Sequence, residues 1–555
     1  MQLLLSRRSF VRSAGIGAGV AATGLTNAVV AAAPPIARRA PGLPDAASIA
    51  ATDPAMLSAV EAASLLQARK LHPVELLDAC IERSSAFDGA TRVWVRTYPE
   101  LAHEQAERAA DRLAAGNAPL ICGLPIAVKD LYAVAGLPLT ASSRILDGNI
   151  AAGDSTVWRR LRDSGAVLLG HVHNDEFAIM TDTLQVGNPW HIDESVGGSS
   201  GGSAAALAAR FAPLSIGTDT GGSLRIPASR CGVSAIKPTF GRCSKYGIIP
   251  VVWTRDHPGP LGRSIADASL LLSYMTGADA FDPVTAIAPP VPDGGFPIAA
   301  VGGDKPLAGK RLGVPREVTE RLPAALATLF ARFLDLFTAL GGETRDVTMP
   351  AEPEGLLSKD AVEVGLYHRQ WADRLSSYQP PTAAIVGMGL AALASPAVDW
   401  WQLARARASY QRDYNRMLED SRLDAVVLPG AITDGLPRRT AAAVSILGAS
   451  TVPFAWANYT GVPVLSLPAE RSAVTGLPFG VQLGGRPWAE AELIAIGLEL
   501  QAAAPVWRDI PPLSPNARAL PQVSVCAPGP GPDPTNTGAA APSFSFVPTT
   551  STAPI

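Results

Sequence analysis

The sequence predicts an α/β sandwich, one sheet with helices on both faces, and three observations carry that prediction. Helical patterns alternate with short apolar strands along the chain. No Gly/Ser-rich or charged linker divides Lys129 from Gln482. Two glycine-rich segments, Gly197–Ser203 and Gly217–Arg225, stand next to a helical and a strand pattern that would pack closely together.

The elements follow in order. Ser58–Gln67 reads as a helix, and a second opens with Pro73, whose missing N–H costs nothing in a first helical turn. Leu101–Ala115, rich in Ala, Glu and Arg, makes a third. The run Gly123-Leu-Pro-Ile-Ala-Val128 has the length and apolarity of a buried strand and delivers Lys129 at its end. Ala204–Phe211 is an alanine-rich helix directly after the glycines, and Leu214–Gly217 is a short strand leading into Thr218–Arg225. Small side chains there permit the close approach that brings Ser199 back beside Ser223.

Those segments hold the chemistry. A serine hydroxyl is a weak nucleophile until a neighbouring base takes its proton, and glycine-rich backbone can aim several N–H groups at one developing oxyanion. A lysine serves as that base near neutral pH only where burial disfavours its charged form, and the apolar run before Lys129 offers such a setting.

From Gly197 to Thr239, ending Cys231-Gly-Val-Ser-Ala-Ile-Lys-Pro-Thr239, the chain resembles the signature of the amidase signature family. The likeness continues in Ser155–Gly170, Asp175–Ala178, Gly187–Trp190, Gly259–Arg263, Asn458–Pro463 and Gly476–Leu483, and covers about residues 55–512. It implies a mixed rather than wholly parallel sheet in an α/β/α sandwich. It also implies a Ser-cis-Ser-Lys triad: Ser223 as acylated nucleophile, Ser199 as the bridging serine after a cis peptide with Gly198, and Lys129 as base. The backbone N–H groups of Thr220, Gly221, Gly222 and Ser223 would form the oxyanion hole. Asp219 and Arg225 flank the nucleophile and are expected to pair with each other, pinning the loop, rather than to clamp substrate.

Rival motifs are weaker. Gly198-Ser-Ser-Gly-Gly202 fits G-x-S-x-G with Ser200 as nucleophile, but that fold needs a late histidine, and the last of the seven is His368. His171 and His173 stand at strand spacing without a third ligand, so no metal is expected. Ser234-Ala-Ile-Lys237 matches S-x-x-K, yet no Lys-Thr-Gly follows. Gly202 is followed by Ser203-Ala204, not by the G-K-[S/T] of a phosphate loop. A net charge of −3 with scattered arginines gives no surface for nucleic acid.

The ends differ in kind from the middle. Ser6-Arg7-Arg8-Ser9-Phe10-Val11-Arg12 followed by an apolar stretch to Ala33 reads as a twin-arginine export signal, with leader and processing region at residues 1–40. The expected location is periplasmic or secreted, with no stable membrane anchor after processing. Residues 513–555 form a Pro/Thr/Ser-rich tail, in which Ala527–Ile555 holds seven prolines and one acid, Asp533, too polar to bury a core. Five cysteines in 555 residues do not make a disulfide framework.

The expected protein is therefore an exported serine hydrolase, without cofactor, that cleaves a small-molecule carboxamide through an acyl-enzyme. Esters or carbamates are the alternative, since the oxyanion is common to all three. A catalytically inactive binding protein is disfavoured by the intact Lys129, Ser199 and Ser223, and homodimer formation is left open. The region 383–450 is expected to line the acyl pocket, and core packing explains its Trp400 and Trp401 at least as well as a pocket does.

Overall fold

The computed structural model describes residues 42–50, 52–438, 440, 454–515 and 520; the leader at 1–40 and nearly all of the tail at 513–555 lie outside the described residues. Among the described residues eleven strands form one sheet: β1 (Trp94–Thr97), β2 (Pro125–Lys129), β3 (Val167–Val172), β4 (Leu214–Asp219), β5 (Ser234–Lys237), β6 (His257–Gly262), β7 (Arg311–Pro315), β8 (Glu343–Val347), β9 (Ala425–Pro429), β10 (Val464–Arg471) and β11 (Pro478–Gly484). Their order across the sheet is β1-β3-β2-β4-β6-β5-β10-β11-β9-β7-β8.

The sheet is mixed. β2 runs parallel to both β3 and β4, and β7 parallel to both β8 and β9, while the strands between these groups pair antiparallel. Every residue of β2, β3, β4, β5, β6, β9 and β11 is buried, the pattern of strands covered on both faces rather than one.

Local chemistry sets the element ends. Ser58 caps Ala59–Gln67 with a reciprocal box, its side chain accepting from the Glu61 N–H at 3.2 Å while the Glu61 carboxylate accepts from the Ser58 N–H at 2.8 Å. The third helix is Pro99–Ala114, two residues earlier than the sequence predicts, because Pro99 takes its first position. The helix expected from Ala204 begins on the glycines, as Gly201–Ala208. A Cβ at Gly201 would stand 2.5 Å from Thr183 Oγ1, and one at Gly202 2.5 Å from the His173 carbonyl oxygen. That helix end is glycine because Gly201 lies against the Thr183 side chain and Gly202 against the His173 backbone, contacts periodicity does not reveal. β4 runs two residues beyond Gly217, its ladder with β6 continuing to the Asp219–His257 pair.

This topology builds the site. β2 and β4 are adjacent and parallel, so Lys129 at the C-terminal end of β2 meets Thr218 near the C-terminal end of β4. Open α/β sheets place their sites at such strand ends.

Candidate active site

Lys129 is fully buried, and its three possible donor directions are all taken. Nζ donates to Ser199 Oγ at 2.7 Å, to Thr218 Oγ1 at 2.8 Å and to Ser200 Oγ at 3.0 Å. Burial is the largest influence on this amine and lowers its pKa to about 7; the more distant carboxylates of Asp175, Asp219 and Asp256 pull the other way. An amine held on a serine hydroxyl and poised between its two protonation states near neutrality is suited to general base and general acid work.

The Gly198–Ser199 peptide bond is cis. A Cβ on Gly198 would lie 2.6 Å from the Asp182 backbone nitrogen, so only glycine fits beside that segment. Ser200, the rival nucleophile, is spent on structure: its hydroxyl accepts from Lys129 and from the Thr218 N–H and donates to the Thr218 carbonyl at 3.1 Å. Such a hydroxyl staples the two glycine-rich loops together.

Ser223 follows β4 and is nearly buried. The two loops meet through backbone, the Ser200 N–H donating to the Ser223 carbonyl at 3.1 Å. Among the described residues no hydrogen bond joins the Ser199 and Ser223 hydroxyls, so the relay expected from sequence is present as Lys129–Ser199, with its last link unmade.

The four expected oxyanion donors separate. The Gly222 N–H donates to Asp219 Oδ1 at 2.8 Å. The N–H groups of Thr220, Gly221 and Ser223 donate to no protein acceptor among the described residues. A carboxylate two atoms from the loop backbone competes for its donors, and glycine spacing does not show which amide it captures.

That carboxylate is the centre of the loop. Arg225 grips Asp219 with Nε on Oδ2 and Nη2 on Oδ1, each at 3.0 Å, and both side chains are fully buried. Arg225 also donates to the Phe454 carbonyl, Gln482 Oε1 and Asn458 Oδ1, while Asn458 Nδ2 donates to Asp219 Oδ1. Burial alone would raise the Asp219 carboxyl, but the Arg225 guanidinium overcomes this and holds it well below the usual carboxylate range. Arg225→Met, which strands a buried carboxylate, is expected to cost about 3–5 kcal/mol of stability, read from urea unfolding midpoints. A loss under about 1 kcal/mol would mean the pair does not hold the loop.

Sequence reasoning missed Arg255 and Asp256. Thr220 is pinned twice, its carbonyl accepting from Arg255 Nη1 at 2.8 Å and its hydroxyl donating to Asp256 Oδ1 at 2.5 Å. Arg255 in turn pairs with Asp360 at 2.7 Å and lies over the Tyr459 ring, and Glu363 accepts from both Thr254 N and Oγ1. Asp360 and Glu363 sit on the helix Leu356–His368, more than 100 residues away. No spacing rule reaches that far; the only local sign was a charged pair beside a strand start.

The other rival motifs come apart. His171 is held by the Tyr98 hydroxyl and the Tyr132 carbonyl, and His173 by the Ser142 hydroxyl. Ser234 and Lys237 bond to different partners, Ser234 to the Arg263 carbonyl and Gln501, Lys237 to the Pro238 carbonyl. Trp400 and Trp401 are 38% and 65% exposed and meet edge to face, so core packing does not account for them, and residues 441–450 of the expected pocket region lie outside the described residues. Helix Ala397–Asp420 turns them outward.

Two hollows share wall residues, the inner one beside Thr220. The inner one is lined by Thr218, Thr220, Asp256 and the segment Ile248–Val251. The outer groove encloses about 920 Å³, open solvent included, and shares Ile248 and Ile249 with the inner one.

A family model described as Amidase matches residues 75–494. A glutamyl-tRNA(Gln) amidotransferase subunit from Roseiflexus sp. (strain RS-1) is 33% identical over 475 residues, spanning 80% of this chain and 95% of that protein. Among solved structures, a crystal structure of an amidase is 29% identical with a TM-score of 0.67, covering 80% of this chain and 99% of that one. The native peptide amidase from Stenotrophomonas maltophilia is 26% identical, also with a TM-score of 0.67, covering 80% and 96%.

Proposed function

This chain belongs to the amidase signature family, whose members cleave amide C–N bonds, and from that premise we propose that it hydrolyses a small-molecule carboxamide through an acyl-enzyme on Ser223. The observation that carries the reading is the fully buried Lys129, near-neutral in pKa and 2.7 Å from Ser199 Oγ. Ser223 Oγ attacks the carbonyl carbon as its proton passes through Ser199 to Lys129. The oxyanion takes the free N–H groups of Thr220, Gly221 and Ser223. The C–N bond breaks, Lys129 returns the proton through Ser199 to the nitrogen, and the amine or ammonia leaves. Water, deprotonated by the same relay, then attacks the acyl-enzyme, releasing the acid and restoring Ser223.

The relay needs the Ser223 side chain to meet Ser199, a tightening expected on substrate binding. Fluorophosphonate labelling with peptide mass spectrometry tests the assignment. An adduct on Ser223 supports it, and an adduct on Ser200 or Ser234, or none in folded protein, sinks it. Esters and carbamates fit the same steps and are distinguished by a substrate screen.

Arg255 holds the Thr220 carbonyl and is read as a positioning residue that acts through the oxyanion loop. Arg255→Leu is expected to lower kcat roughly tenfold to hundredfold, less than the 10²–10³ of losing an oxyanion donor outright, with KM little changed. A change confined to KM would place Arg255 in substrate binding instead.

The transfer-RNA context in the name of the amidotransferase relative is not carried over, given a net charge of −3 and scattered arginines. Export by the twin-arginine route is proposed from residues 1–40 alone. Arg7→Lys with Arg8→Lys should then trap the protein in the cytoplasmic fraction; an unchanged distribution between fractions removes the proposal.

A further inference from the structure

We propose that Thr183 is a positioning residue of the proton relay: its hydroxyl fixes the backbone around Ser199 and thereby keeps the Ser199 hydroxyl on Lys129. The inference rests on the hydrolase reading above and adds a residue to it.

The segment Thr181–Thr183 packs along the glycine-rich loop residue by residue. The Thr183 N–H donates to the Gly197 carbonyl at 3.1 Å. The Asp182 carboxylate accepts from the Ser195 hydroxyl, which in turn accepts from the Gly197 N–H at 2.8 Å. A Cβ on Gly198 would stand 2.9 Å from the Thr181 carbonyl carbon and from Asp182 Cα. Gly197 and Gly198 are thus held by backbone and by Asp182, and the Thr183 side chain takes the next step. Its Oγ1 donates to the Ser199 carbonyl at 3.2 Å and accepts from the Gly201 N–H at 3.2 Å. Thr183 is 1% exposed, so these two loop groups meet the hydroxyl away from solvent.

Ser199 is therefore gripped at two points, its carbonyl by Thr183 and its hydroxyl by Lys129 Nζ at 2.7 Å. The first contact governs the second. Lys129 has two other acceptors, Thr218 Oγ1 at 2.8 Å and Ser200 Oγ at 3.0 Å, so an amine that loses Ser199 stays bonded but off the relay. Only the placement of the Ser199 backbone keeps the productive contact. A β-branched side chain is stiff at χ1, which suits Thr183 to this work, and a displacement of about 1 Å at a reacting group can cost about 10²-fold in rate.

Thr183→Val keeps the shape of the side chain and removes the hydroxyl. For an N-alkyl amide its kcat is expected to fall about tenfold to hundredfold with KM changed less than about threefold, and Thr183→Ser, which restores the hydroxyl, should return to within about threefold of the parent. The leaving group separates positioning from plain loss of structure. An alkylamine must receive its proton through Ser199, whereas 4-nitrophenolate departs without one. On full-length protein, the ratio of kcat/KM for the amide to that for the 4-nitrophenyl ester of the same acid should drop about tenfold in Thr183→Val, while loss of folded enzyme lowers both alike. Thr183→Ala gives the same comparison where the valine variant does not fold.

An amide-to-ester ratio equal to that of the parent overturns the proposal, as does a serine variant no better than the valine one. Failure of the underlying hydrolase reading has a different signature, seen in the parent itself: no fluorophosphonate adduct on Ser223 and no amide turnover. A parent that labels and turns over, with the ratio unmoved in Thr183→Val, rejects the role of Thr183 alone.

Discussion

Ser223→Ala is expected to abolish fluorophosphonate labelling and to lower kcat by roughly 10⁴–10⁶, the range found when a nucleophile that acts as a unit with its base is removed. The variant should remain folded, because the hydroxyl of Ser223 carries no structural bond among the described residues, the contact to Ser200 running through its backbone carbonyl. Ser200→Ala makes the contrasting control. That hydroxyl touches Lys129 and both backbone groups of Thr218, so its loss is expected to appear as lower stability with labelling of Ser223 retained. If Ser223→Ala keeps more than about a hundredth of the parent activity, the nucleophile lies elsewhere.

Lys129→Met is expected to cost about 10³–10⁵ in kcat, and Lys129→Arg nearly as much, because a guanidinium keeps its charge and cannot accept the proton of Ser199. In the parent, kcat/KM should rise with pH and level off with an apparent pKa close to the value of about 7 that burial imposes, since the amine is a base only when neutral. A profile flat through neutrality would sink this role for Lys129.

The same burial has a consequence for stability. The unfolded lysine has the ordinary value of 10.5 and the folded one about 7, so between these values the unfolded chain binds more protons. Stability contributed by this group therefore rises with pH across the window and is lowest at and below about pH 7. The Tm of the parent should gain on that of Lys129→Met as the pH is raised from about 7 to about 10, measured by differential scanning calorimetry. A constant difference would show that the amine is not buried as described.

The likeness read from the sequence at Gly197–Thr239 holds at the level of family and fold, and the strand delivering Lys129 ends where the apolar run ends. What could not be read are contacts between distant segments. Asp219 takes the Gly222 N–H for its own carboxylate, and Arg255 and Asp256 brace Thr220 from a loop tied to a helix at 356–368. Trp400 and Trp401 read equally well as core and as pocket wall, being large and apolar, and helix Ala397–Asp420 leaves them exposed rather than in the core. Composition records what a side chain is and not which way its element faces.

The sequence by itself determined the residue types and their order: a lysine ending an apolar strand, and serines set among glycines that allow backbones to touch. Those are local properties, encoded within a few residues of each group. Only the tertiary structure decided the distances, the depressed lysine pKa, the donors left free for an oxyanion and the groove along Ile248 and Ile249. Each depends on burial or on partners brought together across the sheet, and desolvation and long-range pairing exist only once the chain has packed.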